Sequence, residues 1–502
     1  MPSDFHVMIK HVHLARLFIA LIFPVFILPC SAQQDYKQWL REQERKYEKF
    51  LEENDRVFAE FLKTQWNHKD LNVREKPDPQ PKPDVVPVAP PVQVKPDSTP
   101  RPVFRLRPEP EPEPTKPLPP KPRMPAHKPA DRDDLFVSME LDLFGFQRVI
   151  KVDAAFNQMN MNVTFNEKSI ADIWEAFCRC DYTRMLTQVL AIRDDIGLND
   201  WGYCVLLNQL GRRLYSGEKN NHFVFVWFML IKSGYDARIG FGKDAIHLLL
   251  SSDQTLFDVS YFAREGRKYY AVSFERAPHQ LKAIRTYEGA YPDADMTVRF
   301  DIPRAPEFSS TYGTRPLVFK WQGYEHSIEI QFNRNLVEFL KNHPHTEYPV
   351  YFRASLSVPA MQSLRDGMMP LIRNQTRLAA VNMLLRFVQT AFEYATDEEQ
   401  FGREKPLFAE ETLYYPRSDC EDRSVLFAKL VKELLGLDVI GLKYPGHVAA
   451  AVSIPEPVSG TSVIYNGRQY YVCDPTYINA DAGMVMPQYA DTAPTPIPIG
   501  MN

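Results

Sequence analysis

The chain has 502 residues, 42 of them proline, and a formal net charge of −4 at neutral pH. That length leads us to expect two or three domains. A charge balance this close to neutral gives no reason to propose a nucleic-acid surface, so no nucleic acid is expected as a partner.

Residues 1–32 have the pattern of an export signal. Lys10, His11, His13 and Arg16 form a basic start, and Leu17 to Leu28 is an apolar core too short to anchor as a spanning helix. Cys30 and Ala32 are the small residues of a cleavage site after Ala32, and Cys30 is also a candidate for lipid attachment. No later stretch is long and apolar enough for a membrane helix. The mature chain is therefore expected outside the cytoplasm: periplasmic, surface-associated or extracellular. It would keep five cysteines: Cys178, Cys180, Cys204, Cys420 and Cys473. An odd number leaves at least one free thiol. Cys178 and Cys180 form a lone C-x-C without a second pair or a histidine cluster, so no metal and no cofactor is expected.

Residues 33–70 are predicted to form one amphipathic helix. The motif Tyr36-x-x-Trp39-Leu40 recurs as Tyr47-x-x-Phe50-Leu51 and Phe58-x-x-Phe61-Leu62, every 11 residues. Eleven residues are close to three whole turns, so the aromatic stripe stays on one face. The segment from Tyr36 to Trp66 either packs on its own domain or serves self-association. Residues 71–131 follow as a proline-rich linker containing about half of all the prolines. We expect polyproline II or disorder here and neither helix nor sheet, with a reach on the order of 150 Å at ~3.1 Å per residue.

Residues 132–282 look like a damaged copy of a later region. Asn220 to Ile231 reads as a buried helix, followed by Ala245-Ile-His247 and Tyr269-Tyr-Ala-Val-Ser273. Between residues 283 and 370 the period changes. The segments 297–300, 316–321, 327–332 and 350–358 read as strands of a small β-rich domain, with one short helix from Leu336 to Leu340. Nothing there suggests chemistry.

Residues 371–490 carry the chemistry. A helix from about Arg377 to Tyr394 precedes a long loop, Thr396 to Tyr415, which is expected to wall or cover a cleft. In Tyr415-Pro-Arg-Ser-Asp-Cys-Glu-Asp-Arg-Ser424, Ser418 and Glu421 have the spacing of a capping box. That box would place Cys420 in the first turn of a helix, where free N–H groups and the dipole favour a thiolate. His447 opens an apolar strand after Gly446, and Asp474 ends another before Pro475. The three stand 27 residues apart each way. A Cys nucleophile, a His base and an Asp orienter on separate elements make a candidate acyl-transfer site. Candidate oxyanion donors are Tyr414, Tyr415, the Cys420 backbone N–H and, more weakly, Gln389. Each residue also has a structural reading of its own: a buried thiol, a satisfied core histidine, a turn-capping aspartate.

These stretches, Asp419-Cys420-Glu421-Asp422, Gly446-His447-Val448 and Asp474-Pro475-Thr476, resemble the transglutaminase-like superfamily of papain-type folds. The resemblance spans about a fifth of the chain. It implies an α+β fold in which a Cys helix is followed by strands bearing His and Asp. Laid against it, the earlier copy puts Asn221 in place of Cys420, keeps a histidine as His247, and has Ser273 in place of Asp474. The whole is then two papain- or transglutaminase-like domains flanking a small β-rich domain. A long amphipathic helix and a proline-rich linker precede them, and residues 491–502 form a tail. The implied function is a cysteine peptidase, amidase or transglutaminase-like enzyme on a protein or peptide substrate, a cell-wall peptide among them. The alternative is a catalytically silent binding scaffold made of two such copies.

Overall fold

A computed structural model of the chain describes residues 30–72, 86–90, 102–106, 135–159, 166–215, 222–242, 245–274 and 281–500. Two compact units result, residues 1–53 and 54–502. The export segment up to residue 29 lies outside the described residues. Helix α1 spans Cys30–Leu62. In the first unit its aromatic stripe is exposed, with Tyr36, Trp39, Tyr47 and Phe50 all facing solvent.

The last repeat behaves differently. Phe58, Ala59 and Leu62 are core residues of the second unit, and the Phe58 ring meets Trp174, Tyr287 and Tyr291. The helix stops at Leu62, eight residues short of its expected end. The Trp66 indole N–H donates back to the Leu62 carbonyl, and Trp66–Asp70 becomes strand β1, paired with a later strand. The linker also departs from expectation, because Val103–Arg105 forms strand β2. Its parallel pairing is an edge pairing, which tolerates neighbouring prolines because only one side of the backbone needs donors. The segments 73–85, 91–101 and 107–134 lie outside the described residues.

Next come a hairpin, β3 (Phe136–Leu143) and β4 (Phe146–Asp153), a short α2 (Ala154–Asn157), and helices α3 (Glu167–Arg179), α4 (Tyr182–Ile196) and α5 (Asp200–Leu214). Helix α6 (Phe223–Lys232) is buried from Phe223 to Ile231, as an all-apolar helix must be. Strands β5 (Ala237–Phe241), β6 (Ile246–Ser252), β7 (Tyr261–Arg264), β8 (Arg267–Val272) and β9 (Ala283–Tyr287) complete the first sheet, in the order β1-β9-β5-β6-β8-β7.

The middle of the chain is less β-rich than its sequence suggests. Strands β10 (Tyr312–Trp321) and β11 (Tyr324–Asn333) form one long hairpin. Its turn, Gln322-Gly323, has both residues at positive φ, which suits a tight two-residue connection. Helix α7 (Arg334–Lys341) includes the expected short helix. The stretch 350–358 is not a strand. Tyr348–Arg353 is helix α8 and Val358–Ile372 is helix α9, each with a proline in its first turn. Pro349 and Pro359 are pre-set for helix starts, a signal that outweighs the aromatic and β-branched run. Residues 297–300 form no strand either; Val298 donates one backbone bond to Ser251. Helix α9 lies close on the hairpin because Gly367 has no Cβ, which would stand 2.8 Å from Ile328. Leu317, Phe319, Ile328 and Ile330 then join the same hydrophobic core as residues of both sheets.

Helix α10 (Arg377–Thr390), β12 (Glu393–Tyr394), α11 (Asp397–Phe401), α12 (Ala409–Tyr414) and β13 (Arg417–Ser418) lead to helix α13 (Cys420–Leu430). Strands β14 (Val439–Tyr444), β15 (His447–Val452), β16 (Ser462–Tyr465), β17 (Arg468–Cys473) and β18 (Thr495–Ile497) form the second sheet with β2, in the order β18-β14-β15-β17-β16-β2. Every residue of β15 is buried. Helix α13 covers one face, and Phe104 and Leu106 pack on the apolar cluster of the other, which gives the linker its reason to dock.

The two sheets share the order of their central strands, β5-β6-β8-β7 and β14-β15-β17-β16, each after a buried helix. The register of the first hairpin differs from the sequence reading in one respect. Ser251 donates to the Asp236 carbonyl as Ser453 does to Asp438, which sets Ala245, not His247, opposite His447. His247 lies two residues further along, on the same strand face. Ser273 still follows β8 as Asp474 follows β17. Asn221 is outside the described residues.

Candidate active site

Helix α13 begins with Cys420. Its cap is Asp419, whose N–H donates to Asp422 Oδ2 at 3.3 Å, so the capping box sits one residue later than Ser418 and Glu421 suggested. Asp422 Oδ1 also accepts the Leu407 N–H at 2.7 Å. Ser418 instead accepts from Arg423, a fully buried guanidinium that also donates to the Phe392 and Gln389 carbonyls. The helix start is thereby bolted to its surroundings. Burial holds the Arg423 guanidinium below its ordinary range, and the nearby Tyr394 and acids oppose that shift.

His447 opens β15 directly after the turn at Gly446. Its Nε2 is 2.8 Å from Asp474 Oδ2, with both side chains almost wholly buried. Asp474 Oδ1 accepts the N–H groups of Thr476 at 2.9 Å and Tyr477 at 3.2 Å. The carboxylate therefore accepts on both oxygens, and Nε2 carries a proton. Nδ1 is then the basic nitrogen, and it has no hydrogen-bond partner among the described residues. The imidazole lies flat against the Tyr489 ring at 5.3 Å, with Tyr444 beside both.

Cys420 and His447 line one cavity of about 270 Å³, together with Glu421, Lys443, Tyr348 and Glu404. The Cys420 thiol donates to Glu421 Oε2 at 3.1 Å. That acceptor favours the protonated sulfur, because a thiolate would face a carboxylate. Glu421→Gln removes the opposing charge. We expect it to speed alkylation of Cys420 by iodoacetamide at pH 7 by about tenfold, the equivalent of one unit. A rate unchanged or lowered would remove Glu421 from the electrostatics of the thiol.

The expected oxyanion donors fare differently. Cys420 occupies the first helical position, where a backbone N–H has no intrahelical acceptor. Tyr414 packs on Phe332 and Tyr415, and Tyr415 on Phe401; neither lines the cavity. Nearness in sequence put them on the list, and helix α12 turns them away. Gln389 is buried, and both donors of its amide are used, on the Asp474 carbonyl at 3.1 Å and the Ala480 carbonyl at 3.0 Å. It holds the loop that carries Asp474 and has no N–H to spare for an oxyanion.

The long loop is not a loose cover. Glu410 is buried and accepts from Asn333 and Ser357; burial pushes its carboxyl above the usual range. Lys405 pairs with the buried Glu411 at 2.6 Å. Glu404 is its contribution to the cavity wall. Among the described residues, Asp397, Asp419 and Glu421 bring carboxylate oxygens within 4.8 Å of one another, a grouping a cation could fit. The acids were visible in sequence, but their meeting depends on α11 folding back to α13. Tyr489 and Tyr348 carried no sequence signal at all.

A second cavity of about 130 Å³ lies beside the first sheet and includes His247 and Ser273. Phe257 and His345 line both cavities. The other cysteines are poor nucleophile candidates. Burial pushes the Cys180 thiol up to about 12, and raises Cys178, Cys204 and Cys473 as well. Among the described residues, no helix is long and apolar enough to cross a membrane. No family model matches the chain, and no curated protein and no solved structure matches it either.

Proposed function

We propose that this chain is an exported cysteine acyl-transfer enzyme of the transglutaminase-like kind, acting on peptide or amide bonds. The observation that carries the reading is the His447–Asp474 pair, which leaves Nδ1 as the basic nitrogen of a residue that lines one cavity with Cys420. In this scheme the Cys420 proton passes to Nδ1, and the sulfur attacks the carbonyl carbon. The oxyanion faces the first-turn N–H groups of α13. The C–N bond breaks, and the leaving amine takes the proton from Nδ1. Water or a second amine then attacks the thioester and gives its proton to Nδ1; the S–C bond breaks, and the released sulfur takes that proton back. Asp474 keeps the imidazole in the tautomer that can accept. The shared strand order of the two sheets supports a layout of two related domains, of which the first lacks the nucleophile.

A second reading, a scaffold without covalent chemistry, draws on the burial of Cys420 and the S–H bond to Glu421. Mass spectrometry after brief iodoacetamide treatment separates the two. For the enzyme, Cys420 is labelled ahead of the other cysteines at pH 7, and His447→Ala slows that labelling by about tenfold or more. Equal labelling of the wild type and His447→Ala would leave the scaffold.

A further inference from the structure

Tyr489 stands on a single turn of 3₁₀ helix, Pro487–Tyr489, 15 residues past Asp474. Its N–H is held by the Met486 carbonyl at 2.9 Å. The ring lies parallel to the His447 imidazole, 5° between planes and 5.3 Å between centroids. The Tyr444 ring packs beside both, 5.1 Å from Tyr489 and 6.4 Å from the imidazole. So the histidine is fixed on its edge by Asp474 and on its face by Tyr489. Two constraints at right angles define a ring plane, which neither gives alone. An imidazolium also gains more from an aromatic face than a neutral imidazole does, because the ring quadrupole attracts positive charge.

We propose that Tyr489 is a positioning residue of the site, whose ring sets the plane of the His447 imidazole and stabilises the imidazolium formed when Cys420 gives up its proton. This rests on the acyl-transfer reading above. No bond other than S–H breaks in the step: the proton moves from Sγ to Nδ1, leaving a thiolate beside an imidazolium. The Tyr489 hydroxyl takes no part. It is near enough to Cys420 and Asp474 to feel their charges, and burial raises it, so it stays a neutral phenol at physiological pH.

Other titratable groups surround the imidazole. Asp474 comes from the end of β17, Cys420 and Glu421 from α13, and Tyr444 and Lys443 from β14. Across the cavity stand Glu404, Glu347, His345 and Tyr348. All of them are unchanged by substitution at 489, so a comparison of variants isolates the ring.

The test is the pH profile of Cys420 alkylation by iodoacetamide in full-length protein. Tyr489→Phe keeps the face and is expected within about twofold of wild type. Tyr489→Leu keeps bulk but has no π face. It is expected to be slower by roughly tenfold at pH 7, with its profile displaced to higher pH and the rates converging above the range of an ordinary thiol. A wild-type rate in Tyr489→Leu overturns the proposal. So does a Tyr489→Phe variant as slow as Tyr489→Leu, which would assign the effect to the hydroxyl. A second measurement works even if Cys420 proves inert and the acyl-transfer reading falls. In a Cys420→Ala background, the NMR titration midpoint of His447 should move down when Tyr489 becomes Leu. An unmoved midpoint refutes the stack as an electrostatic device.

Discussion

Asp474→Asn is expected to slow alkylation of Cys420 at pH 7 by about tenfold or more, as much as loss of His447 itself, because an ordinary thiol is only a few per cent ionised there. The size follows from the bonds around the carboxylate. Oδ1 accepts two backbone N–H groups, from Thr476 and Tyr477, and Oδ2 accepts from His447 Nε2. An asparagine has one oxygen. If that oxygen serves the two backbone donors, the amide NH₂ must face Nε2. The imidazole then takes the other tautomer, with its proton on Nδ1, and a protonated Nδ1 accepts nothing from sulfur. If the amide flips, NH₂ meets two N–H donors in a buried place, at a cost of about 1–3 kcal/mol for each unsatisfied group. The first arrangement is therefore favoured, and it disables the base while leaving the fold intact. Alkylation should return toward wild-type rates above pH 9, where the thiol ionises without help. Near-wild-type labelling at pH 7 would show that Asp474 merely caps its turn, as an aspartate before proline often does.

The same bonds show how far the sequence could be read. Gly446-His447-Val448 and Asp474-Pro475-Thr476 pointed to two side chains that the strands β15 and β17 bring to 2.8 Å, because alternation along adjacent strands fixes which residues meet. Cys420 was legible as a helix start for a related reason: a run of capping residues before an apolar segment. The register of that cap was not, since Ser418, Asp419, Glu421 and Asp422 all qualify locally and only the buried Arg423 decides among them. Tyr414 and Tyr415 show the limit of proximity arguments. They lie within six residues of the thiol in sequence, yet α12 points their rings at Phe332 and Phe401. Tyr489 is the converse: a residue distant in sequence whose place against His447 depends on a turn with no composition signal. The linker departs from expectation because proline content says nothing of the apolar residues inside it. Phe104 and Leu106 find a sheet face whose own apolar surface needs covering. Composition describes a segment alone; docking is a property of what it meets.

Asp55 and Lys232 should show the largest stability effect in the chain. Asp55 lies on α1 and Lys232 at the end of α6, and the two side chains form an ion pair with little exposure. The Tyr291 hydroxyl donates to Asp55 at 2.8 Å, and the ammonium is also 3.1 Å from that hydroxyl. Around Lys232 stand the rings of Tyr291, Trp174, Tyr182 and Phe228, 4.7 to 5.5 Å from the nitrogen. Removing either partner strands the other charge away from water, which typically costs about 3–5 kcal/mol. The two losses are not equal. An ammonium without Asp55 keeps four aromatic faces and a hydroxyl oxygen, whereas a carboxylate without Lys232 keeps the Tyr291 hydroxyl and the weakly donating Cys178 thiol. Lys232→Met should therefore lower the urea midpoint more than Asp55→Leu, with unchanged m if both unfold in one step. The double variant should be more stable than either single one, because an apolar pair of similar volume leaves no charge to bury. The outcome bears on α1 as well, since Asp55 helps tie its last turns, which carry Phe58 and Leu62, to Lys232 of α6. If the single losses simply add in the double variant, the pair is not coupled, and hydrophobic packing of that repeat alone anchors the helix.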